Sequence, residues 1–192
     1  MPQLPNKDSL IAKFASARSK WGATEKPVRE PIGPGEESVW DYPRPPEIRP
    51  APARSHVEFA GQVIADSKAA LRVVETAGAP VYYFPPEDVN VSLLVEREGV
   101  SLCEWKGAAV YYDLVVGDQR SLEAAFAYPD PVDDLGQGYG RIAGFFGFYP
   151  SRVDGCWVGP ERVRPQPGGF YAGWVTDMIK GPIKGAPGTG HW

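Results

Sequence analysis

Apolar side chains in this chain fall mostly into short runs broken by glycine, proline or charge, and only one stretch shows helical spacing. That stretch places Leu10, Phe14, Ala17 and Trp21 four, three and four residues apart, on one face of a helix. With Asp8 or Ser9 as the cap, the spacing predicts a helix from about Ser9 to Trp21, ended by Gly22. A helix this short is marginal alone in water. It is expected to dock on the rest of the chain or on a second copy, with a partner-binding arm as the alternative.

Residues 23–37 read as a linker rich in proline, glycine and glutamate. The following "ESVWDYPRPPEIRPAPARSH" has too many prolines for a helix and is expected to be extended. Trp40 and Tyr42 share one face of it. From His56 the pattern turns to strands. "HVEFAGQVIADS" predicts a hairpin turning at Ala60-Gly61, and "ALRVVETAGAPVYYF" predicts a second turning at "TAGA". "VSLLVEREGVSLCEW" gives a strand and a charged turn, "KGAAVYYDLVV" a strand, and "EAAFAYPDP" a shorter one. "RIAGFFGFYPSRVDGCWVG" gives two strands around "PSRVDG", and the tail is mostly loop. Many short strands at close spacing predict a mainly β fold, a small antiparallel sandwich or barrel-like sheet. Residues 1–36 are read as a helix-and-linker extension, and residues 37–192 as a single β domain.

Composition sharpens this picture. The 192 residues include 21 Pro and 22 Gly, punctuation that short strands tolerate and long helices do not. The net charge of −4, with basic residues scattered, argues against nucleic acid or an anionic membrane as a partner. No apolar run approaches the ~20 residues that span a bilayer, and "MPQLPNKDSL" lacks the apolar core of a signal peptide. A cytoplasmic protein with reduced thiols is expected. Cys103 and Cys156 are the only cysteines and His56 and His191 the only histidines, so no CxxC pair and no His-rich metal site exists. No metal and no cofactor is expected.

The candidate chemistry centres on "LCEWKGAAVYYD" at residues 102–113. As one strand, alternation puts Cys103, Trp105, Gly107, Ala109 and Tyr111 on one face, with Lys106 and Tyr112 on the other unless Gly107 forms a bulge. Free cysteine is most often a core residue, and no histidine lies near in sequence to activate Cys103, so packing is favoured over nucleophilic chemistry. Lys106, set among Trp, Gly and Ala, suits anion or carbonyl binding, or else guards a strand edge. Asp88, after "YYFPPE", is either a turn-capping residue or a carboxylate paired with a cation. "GPIKGAPGTG" lacks the Gly-Lys-Ser/Thr end of a P-loop, leaving turn chemistry and a weaker reading in which Lys180 and Lys184 approach an anion. Of the 23 aromatic residues most must be core, while Trp40, Trp105, Trp157 and Trp174 are candidates for a ligand cage.

Taken together, "ESVWDYPRPP" (37–46), "VEFAGQVIADS" (57–67), "VYYFPPEDV" (81–89), "CEWKGAAVYYDL" (103–114) and "GGFYAGWVTDMIKGPIKGAPGTGHW" (168–192) resemble the domain-of-unknown-function family 427. The resemblance implies a small antiparallel domain of bacteria and some fungi. Its implied fold is similar to the β-tent, also seen in the ligand-binding domain of cereblon and in methionine sulfoxide reductase B. The family is sometimes labelled nucleotidyltransferase-like, but "DPVDD" (130–134) has no preceding Gly-Ser step and does not support that label. The β-tent zinc needs two CxxC pairs, which this chain lacks. What transfers is a pocket on the sheet face.

The expectation is therefore a domain that binds a small polar or anionic metabolite. Lys106 would supply charge, Asp88 an orienting carboxylate, Tyr83 and Tyr112 hydroxyls, and Trp105 and Trp40 the walls. The alternatives are an enzyme of group-transfer type using the same pocket, and an interaction or homodimerisation module using the N-terminal arm.

Overall fold

The computed structural model of the chain describes residues 4–19, 27–190 and 192. Among these, one α-helix, α1 (Lys7–Arg18), precedes sixteen strands. They are β1 (Glu37–Ser38), β2 (Glu47–Pro50), β3 (Ser55–Phe59), β4 (Gln62–Ser67), β5 (Leu71–Val74), β6 (Val81–Phe84), β7 (Leu94–Glu96) and β8 (Ser101–Cys103). There follow β9 (Gly107–Val116), β10 (Gln119–Ala127), β11 (Phe146–Phe148), β12 (Gly155–Val158), β13 (Glu161–Arg162), β14 (Arg164–Pro165), β15 (Trp174–Val175) and β16 (Ile179–Lys180).

The fold is mainly β, as the pattern predicts. Its larger sheet runs β2-β5-β6-β11-β10-β9-β7, with β8 also pairing β9, and every pair in it is antiparallel. The smaller sheet, β13-β12-β3-β4, is antiparallel too. Neither closes into a barrel. The β3–β4 hairpin turns at Ala60-Gly61, as predicted, with both residues at positive φ (51° and 71°). That is the two-residue turn whose twist matches paired strands.

The two sheets face each other across one core. Val57, Phe59 and Ile64 of the smaller sheet meet Tyr82, Phe84, Leu114 and Phe148 of the larger, and Trp174 is buried among them. A separate cluster of Val39, Trp40, Tyr42, Val74, Ala77 and Ile179 ties the Pro-rich segment to the tail. There β1 and β16 pair in parallel.

Three elements differ from the sequence expectation. The helix starts at Lys7 because Asn6 is the cap: its side-chain oxygen accepts from the Ser9 N–H at 3.2 Å. It runs to Arg18, and Trp21 and Gly22 lie outside the described residues. "EAAFAYPDP" belongs to a strand of nine residues, since Gly117-Asp118 folds the chain straight back from Val116 to Gln119. A register shift between Ser121 and Ala125 absorbs the extra length, with Glu123 at φ 49°. Finally, "LCEWKGAAVYYD" is a hairpin, not one strand: β8 ends at Cys103, residues 104–106 turn, and β9 starts at Gly107. Gly107 has φ 94°, and a Cβ there would lie 3.0 Å from Val132 Cγ2, so both conformation and space demand glycine.

Helix α1 packs on this same turn. Leu10 and Phe14 bury against Ala108 and Val132. Arg18 donates to the Glu104 carbonyl at 2.7 Å, pairs with Asp134 at 2.6 Å, and lies over the Trp105 ring. Docking on its own domain is the first of the roles expected for it.

Candidate functional site

Strand alternation gives the larger sheet two unlike faces. On β6, Tyr82 and Phe84 point into the core between the sheets, and Tyr83 points the other way. On β9, Tyr112 and Leu114 line the inter-sheet side while Ala109 and Tyr111 share the Tyr83 side. Register then aligns Tyr83 with Gly147, Gly147 with Phe126, and Phe126 with Tyr111, in one row across β6, β11, β10 and β9. The Phe126 ring lies over Gly147: a Cβ at that position would be 2.5 Å from it. Only glycine lets the ring settle into the row.

This row is the floor of a cavity of about 470 Å³, a volume in the range of small-molecule sites. The β8–β9 turn contributes Cys103, Glu104, Trp105 and Lys106. Tyr128, Tyr149 and Arg152 complete the walls, and Gly169 to Ala172 with Lys184 form the rim. Aromatic rings pack edge-on along the floor, Tyr83 to Phe126 at 5.8 Å and Phe126 to Tyr128 at 6.3 Å.

Lys106 is the unusual group. Its side chain is 8% exposed as a residue, yet among the described residues its Nζ forms no hydrogen bond and no ion pair. Its close neighbour is the Tyr128 ring, 5.3 Å from Nζ. Burial opposes its charge, but the acidic groups around it, Cys103, Tyr128, Tyr83 and Glu75, outweigh that and hold its pKa above the ordinary lysine value. It is an ammonium at neutral pH. Burial pushes Tyr83 up to about 12, against the opposing pull of Lys106, and drives Tyr128 above the ordinary tyrosine value as well. Both therefore keep their protons and can donate. Neither hydroxyl has a hydrogen-bond partner among the described residues, and neither is sealed from the cavity. Ser101 and Tyr111 share a hydrogen bond at 2.6 Å.

The other two cations at the cavity, Lys184 and Arg152, are engaged nearby. Lys184 Nζ is 3.7 Å from Glu75, which also accepts from Arg44 Nε at 3.2 Å. Arg152 pairs with Glu123 at 3.2 Å and stacks on Tyr149 at 4.2 Å. Glu123 is positioned from beneath. Asp113, fully buried on β9, accepts from the Glu123 N–H at 2.8 Å and from Arg120 and Arg97 at 2.5 and 3.1 Å. Burial would raise its pKa, but these three donors hold the carboxyl below its usual range.

Of the residues singled out in the sequence, the cavity gathers Tyr83, Trp105 and Lys106. The other three line different surfaces. Asp88, in a short turn after β6, borders a shallow depression with Arg54, Asp66 and Lys68. Tyr112 packs on Phe146 at 5.3 Å beside the inter-sheet core. Trp40 donates to the Pro182 carbonyl at 2.8 Å within the arm-and-tail cluster. The four candidate cage tryptophans disperse: Trp157 stacks on His56 and Trp174 lies between the sheets. Cys103 lines the cavity and is partly exposed; Cys156 is buried, which pushes its thiol pKa up. Lys180 pairs with Glu36 at 3.0 Å, and only Lys184 of the tail lysines reaches the cavity.

Sequence reasoning missed Tyr111, Tyr128, Tyr149, Phe126, Glu75 and Arg152 as cavity residues. For Tyr111 the signal was present. Once Gly107 starts a new strand, Ala109 and Tyr111 follow it on one face, and the turn frees Lys106 from the parity that separated them. The remainder come from strands brought together only by register. Among the described residues no helix is long and apolar enough to cross a membrane.

No curated protein matches the chain. A family model described as a domain of unknown function (DUF427) matches residues 47–159, more than half of the chain. The match takes in the cavity floor and the Lys106 turn, and leaves out α1, the rim at residues 169–172 and Lys184. The chain belongs to the DUF427 family of domains of unknown function.

Proposed function

We propose that this domain binds a small polar or anionic metabolite in the cavity above the β6-β11-β10-β9 face, with Lys106 as the anchoring charge. One observation carries the reading: a buried ammonium with no ion pair among the described residues opens onto an aromatic-walled cavity. Burial works against that charge, and an anionic guest would supply the ion pair it lacks among the described residues. Tyr83 and Tyr128 add hydroxyl donors, and Trp105 a wall. The arm-based interaction reading has less support, because the apolar residues of α1 are occupied by its own domain.

The test is a thermal-shift screen of wild type and Lys106→Met against nucleotides, sugar phosphates, carboxylates and sulfoxides. A ligand at 100 times its Kd adds about 2.7 kcal/mol of stability. A stabilising compound whose effect disappears in Lys106→Met supports the reading. A folded wild type that responds to none of the four classes rejects it.

A further inference from the structure

The charges around the cavity narrow the chemical class of its ligand. Three cations line it, Lys106, Lys184 and Arg152, and three carboxylates, Glu75, Glu104 and Glu123. The lining is therefore close to neutral before any ligand arrives. Lys184 and Arg152 are already engaged by Glu75 and Glu123, which among the described residues leaves the ammonium of Lys106 to meet a negative group. A phosphate ester brings roughly −1.5 to −2 charges at neutral pH, and a nucleoside triphosphate more. Either brings more negative charge than the Lys106 ammonium can match, and the excess would stand unpaired in a low-dielectric setting. A carboxylate brings one charge and accepts from one ammonium and from neutral hydroxyls. Lys106 with the hydroxyls of Tyr83 and Tyr128, which have no hydrogen-bond partner among the described residues, offers that donor set.

The rest of the lining selects the body of the ligand. Tyr83, Phe126, Tyr128 and Tyr149 present ring faces and edges along the floor and wall. At the rim Phe170 is 80% exposed, in edge contact with Tyr171 at 5.1 Å. Its loop is fixed at the base. Gln166 accepts from the Ala79 N–H and donates to the Lys184 carbonyl, both at 3.0 Å, and Gly168 fits so closely that a Cβ there would lie 2.5 Å from the Gly185 carbonyl oxygen. A large apolar ring held out in water at the mouth of an aromatic cavity is an unused contact surface.

We infer that the cavity takes a singly charged carboxylate with a flat apolar body, the carboxylate at Lys106 and the body between the aromatic walls and Phe170. This rests on the binding function proposed above and names its ligand class.

Titration calorimetry with five probes tests it: 3-phenylpropionate, its amide, phenyl phosphate, acetate and ATP. The acid binds wild type, and the amide binds at least about tenfold more weakly, the worth of one charge-assisted hydrogen bond. Acetate, lacking the body, is weaker still. In Lys106→Met the acid falls to the level of the amide. In Phe170→Ala, a substitution at an exposed position that leaves Tm unchanged, the acid weakens several-fold while acetate does not change. Equal binding of acid and amide overturns the inference. Tighter binding of phenyl phosphate or ATP, lost in Lys106→Met, overturns the carboxylate class and keeps the binding function. Failure of all five probes, together with an empty thermal-shift screen, removes both.

Discussion

The two faces of the larger sheet are built from the same strands and nearly the same residues, and they do opposite things. Tyr82 and Tyr83 are neighbours on β6; Tyr111 and Tyr112 are neighbours on β9. One of each pair points at the smaller sheet, where Tyr82 stacks on Trp174 at 4.7 Å and Phe84 and Leu114 are sealed from water. The other points at the cavity, where Tyr83 is just as inaccessible as a residue but keeps a hydroxyl without a hydrogen-bond partner among the described residues. Aromatic content does not distinguish a core from a site. What distinguishes them is what covers the face: a second sheet fills one side to interior density, while a turn and a glycine-bordered loop roof the other incompletely and leave room.

The comparison can be broken first on its dry side. Phe84→Ala removes a fully buried ring between the sheets and should cost about 3–5 kcal/mol, read as a fall in the urea midpoint. A cost below about 1 kcal/mol would mean that this side is not the stabilising core. Asp113→Ala comes next. It strips a buried carboxylate from the Glu123 N–H and two arginines and should cost about 2–3 kcal/mol. The pH dependence has a definite sign. The folded pKa of Asp113 lies below its unfolded value, so its contribution is full above the ordinary aspartate range and is lost as pH falls through the folded pKa. Wild type should therefore lose stability on acidification more steeply than the alanine variant. Parallel acid profiles would remove Asp113 as the cause.

Gly147→Ala probes the cavity floor. The added methyl must displace the Phe126 ring, at about 1–3 kcal/mol, and should weaken the proposed ligand binding along with stability. Lys106→Met separates binding from stability. Replacing an ammonium whose charge burial opposes and acidic neighbours favour with an apolar chain of similar length should change stability by less than about 1 kcal/mol, while the proposed ligand binding weakens at least about tenfold. A marked loss of stability would show that Lys106 serves the fold. The smallest effect is expected for Tyr83→Phe, which removes a hydroxyl with no partner among the described residues. It should change the unfolding free energy by less than about 0.5 kcal/mol while weakening any ligand that accepts from it.

The β3–β4 hairpin was legible because its turn chemistry and alternation are local. The same holds for the mainly antiparallel class, which follows from short strands between frequent glycines and prolines. The candidate site was legible in part. Lys106 and Trp105 stand out as charge and ring beside a glycine, and Tyr83 as a strand tyrosine. Asp88 and Trp40 were equally prominent in sequence, yet each faces a different surface of the molecule. Nothing local separates a carboxylate in a turn near the cavity from one in a turn at the edge of the smaller sheet. Choosing Tyr112 over Tyr111 came from treating residues 102–113 as one strand: the turn at 104–106 resets the alternation, and a one-residue error in a period of two moves a side chain to the opposite face.

The sequence by itself determined the inventory and the local geometry: a short helix near the N-terminus, strand segments with their turns, two lone cysteines, and a lysine set among aromatic and small residues. It also carried the family resemblance that the match over residues 47–159 bears out. Only the tertiary structure decided which face of each strand became core and which became cavity. It decided as well that Lys184 and Arg152 are ion-paired while Lys106, among the described residues, is not. The reason is physical. Alternation along a strand depends on backbone geometry that each segment carries with it. The covering of a face depends on register between strands distant in sequence, and on which loops close over them, a property of the assembled chain rather than of any segment.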